Sequence, residues 1–137
     1  MDYIQSEVLK CFLRGEPFFS NQSLTLVSFV RGEVIIREGE PARVFHLICR
    51  GRVQLVKQHP DGQRYRTTTL SRGSSVGLPA VLADAAYTTT AQALTSVQTY
   101  PINQDILQAF LASHPAYYSS LTQQLARTLL HYEKLMT

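Results

Sequence analysis

The sequence predicts a mainly β fold, a sandwich or barrel of short strands with helices on both sides of it. Between residues 29 and 102 the segments are short and rich in β-branched or aromatic residues. A turn signal at intervals of about 8–12 residues is typical of sandwiches and barrels. Outside this region, apolar residues recur at helical spacing. Glycines that divide the central segments are Gly32, Gly39, Gly51, Gly62, Gly73 and Gly77.

The strands and the first helix are predicted from local patterns. A short amphipathic helix is expected over residues 3–13, and a candidate edge strand over 23–29. The segments 52–58 and 64–70 are predicted to form a hairpin, because the intervening HPDGQ combines a proline that fixes φ with an Asp-Gly pair that tolerates positive φ. Residues 90–102 predict two further short strands.

The segment RVQLVKQ (52–58) shows the alternation of a half-buried strand. Val53 and Leu55 alternate with Arg52 and Gln54. Successive side chains of a strand point to opposite faces. We therefore expect Val53 and Leu55 on a buried face and Arg52 and Gln54 on a solvent-facing one.

Two helices are predicted after Pro101. The first covers DILQAFLASH and begins near Asn103 or Gln104, and the second opens at Pro115 and runs for about 20 residues. Its apolar stripe is wide enough to pack on its own domain and on a second subunit, so we predict a homodimer through residues 116–136. The alternative is a single wide core contact. The stripe consists of Tyr118, Leu121, Leu125, Thr128, Tyr132 and Leu135, with Leu129, Leu130 and Met136 on neighbouring faces.

Length and composition predict one soluble domain. The 137 residues are read as a single domain, with a helical lead-in (1–28), the strand region (29–102) and carboxyl-terminal helices (103–137). No transmembrane run and no signal-peptide pattern is visible, so we expect a cytoplasmic protein without a membrane partner. Cys11 and Cys49 lack a CxxC spacing and are predicted to be buried or idle thiols, with redox sensing as the alternative.

The charge of the chain is concentrated in one segment. The net charge is +3, and residues 31–72 hold nine basic and four acidic residues. A basic surface can attract phosphate or nucleic acid. Because many of these residues alternate with apolar ones, the prediction favours solvent-facing sides of strands.

Four motifs in order carry a resemblance to a known family. They resemble the cyclic-nucleotide-binding domain of the catabolite activator and fumarate-nitrate regulator (Crp/Fnr) family, across about residues 5–135. The resemblance implies a double-stranded β-helix, or jelly roll, with an amino-terminal helix and a long carboxyl-terminal helix. The motifs are FVRGEVIIREGEPA (29–42), VFHLICRGRVQLVKQHPDGQ (44–63), LSRGSSVGLPAVL (70–82) and TAQALTSVQTYPI (90–102).

The resemblance also implies a phosphate-binding cassette over residues 76–90. In nucleotide-binding members a glutamate there accepts the ribose hydroxyl and an arginine pairs with the phosphate. This sequence keeps Gly77, but Leu78 stands at the glutamate position, Pro79 follows it, and Tyr87 or Thr88 stands at the arginine position. Loss of a charge-assisted hydrogen bond costs about 1.5–3 kcal/mol. The expected ligand is therefore not ordinary cAMP.

The predicted function is a small-molecule sensor domain of a Crp/Fnr-type transcription regulator, with a nucleotide-like or other small effector. One alternative is a ligand-free structural or dimerisation module, which a pocket filled by Leu78 and Tyr87 would favour. Another is that Arg64, Arg66 or Arg72 replaces the missing arginine. Predicted ligand-binding residues are Gly77, Leu78, Pro79, Tyr87, Thr88, Thr89, Thr90 and Tyr132.

Other chemistries find little support in the sequence. None of the four histidines has the spacing of a jelly-roll metalloenzyme, and His46 is expected to be a satisfied core histidine. There is no haem-attachment motif, no metal site is predicted, and no catalytic motif indicates an enzyme. No DNA-reading helix is predicted within this chain. The four histidines are His46, His59, His114 and His131.

Overall fold

The computed structural model describes residues 24–58 and 60–136. The predicted helix over 3–13, Cys11 and His59 lie outside the described residues. The described strands are β1 (Val27–Phe29), β2 (Val34–Ile36), β3 (Val44–Arg50), β4 (Val53–Gln58), β5 (Arg64–Leu70), β6 (Ser75–Val76), β7 (Thr90–Ala93) and β8 (Val97–Asn103). The described helices are α1 (Leu78–Leu82), α2 (Gln104–Ser113) and α3 (Pro115–Leu135).

The strands form two antiparallel sheets, which confirms the predicted jelly-roll class. The order is β1-β8-β3-β6 in the first sheet and β2-β7-β4-β5 in the second. Several strands that follow each other in sequence, such as β3 and β4 or β7 and β8, belong to different sheets. The chain therefore passes repeatedly from one sheet to the other, as a roll requires.

The local signals at the hairpin and the helix starts are confirmed. β4 and β5 pair from Val53 with Leu70 to Gln58 with Arg64, and Gly62 in the connecting turn has a φ of 85°. Asn103 caps α2, since its side-chain oxygen accepts a hydrogen bond from the Ile106 N–H at 2.8 Å. A side-chain acceptor at this position satisfies one of the free N–H groups of the first turn. Helix α3 begins at Pro115, as predicted for the second of the two carboxyl-terminal helices.

The predicted solvent-facing position of Gln54 was wrong. Its side chain is 8 % exposed. β4 is a central strand, and Gln54 lies directly opposite Gln92 on β7 and Thr69 on β5. Directly opposed residues share a face and cover one another. The alternation identified the two faces of β4, but it could not show that neighbouring strands cover the polar one.

The core has two parts, one on each face of the first sheet. Between the two sheets lie the buried residues Ile36, Ile48, Val53, Leu55, Leu70, Val76, Tyr87, Ala91, Ala93 and Val97. Between the first sheet and helices α1 and α2 lie Phe45, Leu47, Leu78, Val81, Ile102, Leu107, Phe110 and Leu111.

Helix α3 packs on this core with one part of its surface. Tyr117 and Leu121 are half-buried against the cluster that holds α2, whereas Tyr118, Leu129 and Leu135 are exposed. No residue of α3 is fully buried in the described structure. Among the described helices, none combines the length and the hydropathy needed to span a bilayer.

Gly51 should be intolerant of any side chain. It has a φ of 95°, and a Cβ atom there would lie 2.1 Å from the Ser96 carbonyl oxygen. We expect Gly51→Ala to cost about 1–2 kcal/mol for the left-handed backbone and about 1–3 kcal/mol more for the backbone it must displace. Urea unfolding measures the loss.

Gly32→Ala is the matched control. Gly32 has a φ of 91°, but a Cβ atom there would meet nothing within 4 Å. Gly32→Ala should therefore lose only the free energy of unfolding that the left-handed backbone costs. Equal losses of stability in the two variants would contradict the role assigned to the contact with Ser96.

Candidate functional site

A cavity of about 830 Å³ lies where the resemblance places the cassette. Three parts of the chain enclose it. The second sheet contributes Ile36, Leu55 and Thr68, and the segment 75–89 contributes the wall that includes α1. The middle of α3 contributes Leu125, Thr128, Leu129 and Tyr132.

The segment 75–89 takes its shape from a contact between Gly77 and Tyr87. Gly77 has a φ of 87°, and a Cβ atom there would lie 2.8 Å from the Tyr87 ring. Because glycine permits both the backbone conformation and the close approach, the chain turns sharply into α1. The segment then returns so that the Tyr87 ring covers this turn.

Tyr87 is held from several directions. Its hydroxyl donates to the Val44 carbonyl oxygen. Its backbone N–H donates to the Glu40 carbonyl at 2.9 Å, and its carbonyl accepts from the Gly39 N–H at 2.8 Å. Burial raises the pKa of the Tyr87 phenol. Tyr87 is therefore a neutral, fixed part of the cavity wall.

Six of the eight predicted ligand-binding residues line this one cavity. They are Gly77, Pro79, Tyr87, Thr88, Thr89 and Tyr132. Leu78 instead lies in the core beside α2, where it is 5 % exposed. Thr90 faces a separate surface depression, and its hydroxyl oxygen accepts from the Glu38 N–H at 3.0 Å. Leu78 and Thr90 do not line the cavity, and the binding role of the other six stays a prediction.

The lining is mainly apolar, with seven residues that carry a hydroxyl group. No carboxylate belongs to it among the described side chains. Leu78 and Tyr87 leave the space open rather than filling it. The apolar side chains are Ile36, Leu55, Val76, Pro79, Ala80, Leu82, Ala83, Leu125 and Leu129, and the hydroxyls belong to Thr68, Ser75, Tyr87, Thr88, Thr89, Thr128 and Tyr132.

Among the described residues, Lys57 is the basic residue that lines the cavity, and sequence reasoning did not single it out. Its Nζ donates to the Thr88 carbonyl at 2.9 Å and lies 3.6 Å from Oε2 of Glu38. The available signal was the alternation of β4, since Leu55 and Lys57 share a face.

Three arginines were proposed as substitutes for the missing cassette arginine, and none of them is seen to line the cavity in the described structure. Arg64 lines the separate depression. Arg72 lies near the Cys49 thiol and does not line the cavity. The side chain of Arg66 lies outside the described part of the structure.

The family follows from a match over most of the chain. The sequence model of the cyclic nucleotide-binding domain matches residues 26–114. The chain belongs to this family. The resemblance expected from the four motifs is confirmed.

Relatives of this cyclic nucleotide-binding domain include transcription regulators. The CRP-like cAMP-activated global transcriptional regulator of Mycobacterium tuberculosis is 28 % identical over 108 residues, which cover 79 % of this chain and 48 % of the relative. The chain thus spans about half the length of this relative.

Two solved structures show the same fold at lower identity. The catabolite activator protein of Thermus thermophilus is 20 % identical with a TM-score of 0.75, over 85 % of this chain and 60 % of that one. The sensor domain of the regulator DNR from Pseudomonas aeruginosa is 22 % identical with a TM-score of 0.73, over 89 % of each chain.

His46, His114 and Cys49 are each held by contacts within the fold. His46 is buried, and its Nδ1 lies 2.8 Å from Oγ1 of Thr99. His114 stacks on the Phe110 ring with 4.3 Å between ring centroids. Cys49 is half-buried, and burial raises the pKa of its thiol. The described residues contain no group of three or more side chains arranged to hold a metal ion.

His46 should make stability depend on pH. Burial lowers its pKa to about 4. The unfolded chain protonates this histidine below about pH 6.5, while the folded chain keeps it neutral. The free energy of unfolding should therefore be highest above pH 6.5. It should fall towards pH 4 by up to about 1.4 kcal/mol per pH unit.

Urea unfolding at pH 7, 6 and 5 measures this slope. His46→Gln should flatten it, and His131→Gln, which changes an exposed helix residue, should leave it unchanged. An unchanged slope in His46→Gln would assign the pH dependence to other groups.

Proposed function

We propose that this domain is the small-molecule-sensing part of a Crp/Fnr-type transcription regulator, acting in the cytoplasm. The proposal rests on the unfilled cavity between the second sheet, the segment 75–89 and α3. Enclosed, mainly apolar cavities with a few polar groups are the usual form of small-molecule sites. The cAMP-activated relative from M. tuberculosis supports a regulatory role.

The effector is a molecule other than ordinary cAMP or cGMP. At the glutamate position Leu78 is buried in the core, so no acceptor for a ribose hydroxyl is available there. At the arginine position the Tyr87 hydroxyl donates its hydrogen bond to the Val44 carbonyl oxygen, and Thr88 carries no charge. A phosphate placed on the side chains of these cassette positions would therefore lose its hydration without a charged partner among them.

The ligand-free module is the rival function. It predicts a site filled by its own side chains, with Leu78 and Tyr87 as the filling groups. The position of Leu78 in the core and of Tyr87 in the wall favours the sensor.

Helix α3 offers a surface for a second copy of the chain. Tyr118, Leu129 and Met136 lie along one side of α3 by helical spacing, and they are 53 %, 64 % and 84 % exposed. Leu129 also lines the cavity. A ligand that contacts α3 would therefore favour one packing of the two helices over another, which couples binding to assembly.

Cyclic nucleotides should leave the melting temperature unchanged. A ligand present at about 100 times its Kd stabilises a fold by about 2.7 kcal/mol, a shift of several degrees. We expect no shift with millimolar cAMP or cGMP. The panel should also hold cyclic dinucleotides, haem, 2-oxoglutarate and glutathione, with the M. tuberculosis relative as a positive control for cAMP.

Two variants distinguish cavity binding from surface binding. Ala83→Trp places an indole at an exposed residue of the lining, and Ala126→Trp places one on an exposed residue of α3 outside the lining. An effector of the cavity should lose its shift in the first variant only. A shift with cAMP that Ala83→Trp abolishes would contradict the proposed ligand choice.

The chain should dimerise through α3. Leu129→Glu puts a charge into the centre of the exposed apolar row and should yield monomers in sedimentation equilibrium at micromolar concentration. Gln123→Glu, an exposed residue on another side of α3, should leave the dimer intact. A wild-type chain that remains monomeric up to millimolar concentration would contradict self-association.

A further inference from the structure

We infer that the ligand is an amphipathic anion, with an apolar body in the cavity and an anionic head group at Lys57. This inference rests on the proposed sensor function and specifies its ligand class. It is carried by the position of Lys57, which lines both the cavity and the neighbouring depression.

The cavity is asymmetric in charge. Lys57 is the one charged side chain among the described residues that line it, and most other contributors present carbon or hydroxyl groups. Burial of apolar ligand surface against such walls favours binding. The body of the ligand should therefore be apolar, whereas any charge should sit at the Lys57 side.

Positive charge continues beyond Lys57. The neighbouring depression is lined by Arg37, Lys57 and Arg64, with Glu38 as the one carboxylate among its described residues. Three cations against one carboxylate leave an excess of positive charge. Such a surface concentrates anions near the cavity and favours their approach.

Lys57 retains the capacity to bind an anion. An ammonium group has three donors, and one of them is used by the Thr88 carbonyl. The pair with Glu38 spans 3.6 Å, and the Lys57 side chain is 47 % exposed. Exposed pairs of this kind contribute little to stability. A second oxyanion can therefore approach Lys57 at little cost.

Glu38 is held by a bond of its own. Its Oε1 accepts from the Gln58 N–H at 3.0 Å. This bond holds Glu38 beside Lys57, and Glu38 does not line the cavity. Glu38 therefore competes with a ligand for Lys57 only through the pair at 3.6 Å.

Other ligand classes fit the same residues less well. A neutral apolar molecule would gain nothing from Lys57. A sugar-bearing molecule could hydrogen-bond to the hydroxyl side chains of the lining, but its polar ring would leave the apolar walls without a matching surface. A small inorganic anion would leave the apolar walls unused. An amphipathic anion satisfies both the walls and the ammonium group.

A pair of fluorescent probes tests the inference. Anilinonaphthalene sulfonate is an apolar anion, and phenylnaphthylamine is its parent compound without the sulfonate. Wild-type protein should bind the sulfonate more tightly. Lys57→Gln should weaken sulfonate binding about tenfold, the size of one charge-assisted hydrogen bond, and leave phenylnaphthylamine binding unchanged.

Matched variants keep the result interpretable. Lys57→Arg retains the charge and should retain the preference for the sulfonate. Arg52→Gln removes an exposed cation that lines neither cavity nor depression, and it should change neither affinity. Melting curves of each variant show that it is folded.

The outcomes separate the inference from the function on which it rests. If Ala83→Trp affects neither probe, neither occupies the cavity and the sensor proposal fails with the inference. If both probes need the cavity but Lys57→Gln weakens neither, or both equally, the anionic head group is overturned and the sensor remains. Selective loss of the sulfonate supports the inference.

Discussion

The close contact between Gly77 and the Tyr87 ring is the constraint on which the site depends. A left-handed glycine with no room for a Cβ atom brings the two ends of the segment 75–89 together. Hydrogen bonds that Tyr87 donates to Val44 and Glu40 and accepts from Gly39 then fix that segment to the strand region. Because the segment is fixed at both ends, the space between it and α3 stays open.

The site retains the backbone of a phosphate cassette with different chemistry. α1 is a single short helical turn with Pro79 as its second residue, and a proline carries no backbone N–H group. The charged pair expected of a nucleotide site is absent from the cassette positions, and the cation present comes from β4 instead. Lys57 reaches the same segment from the opposite wall, through the Thr88 carbonyl. Under the proposed function, a change of ligand class would follow from the origin of this one charge, with little change of fold.

Local features of the fold could be predicted, whereas side-chain directions in the site could not. The hairpin turn at Gly62, the cap at Asn103 and the start at Pro115 are short-range signals, because the residues that produce them are neighbours in sequence. Leu78 turns into the core because α2 offers apolar partners there, and that packing joins distant segments. Gln54 is covered by two other strands for the same kind of reason. The sequence does not distinguish Lys57 from the other basic residues of 31–72, because only the folded arrangement brings β4 next to the segment 75–89.

The measurement that tests the central claim most directly is amide chemical-shift mapping with anilinonaphthalene sulfonate. The account predicts that saturable shifts cluster at residues 75–89 and 125–132 and at Lys57. Shifts confined to the outer residues of α3, such as Tyr118 and Met136, would show that the probe binds the exposed apolar row. That result would contradict a ligand cavity at the modified cassette.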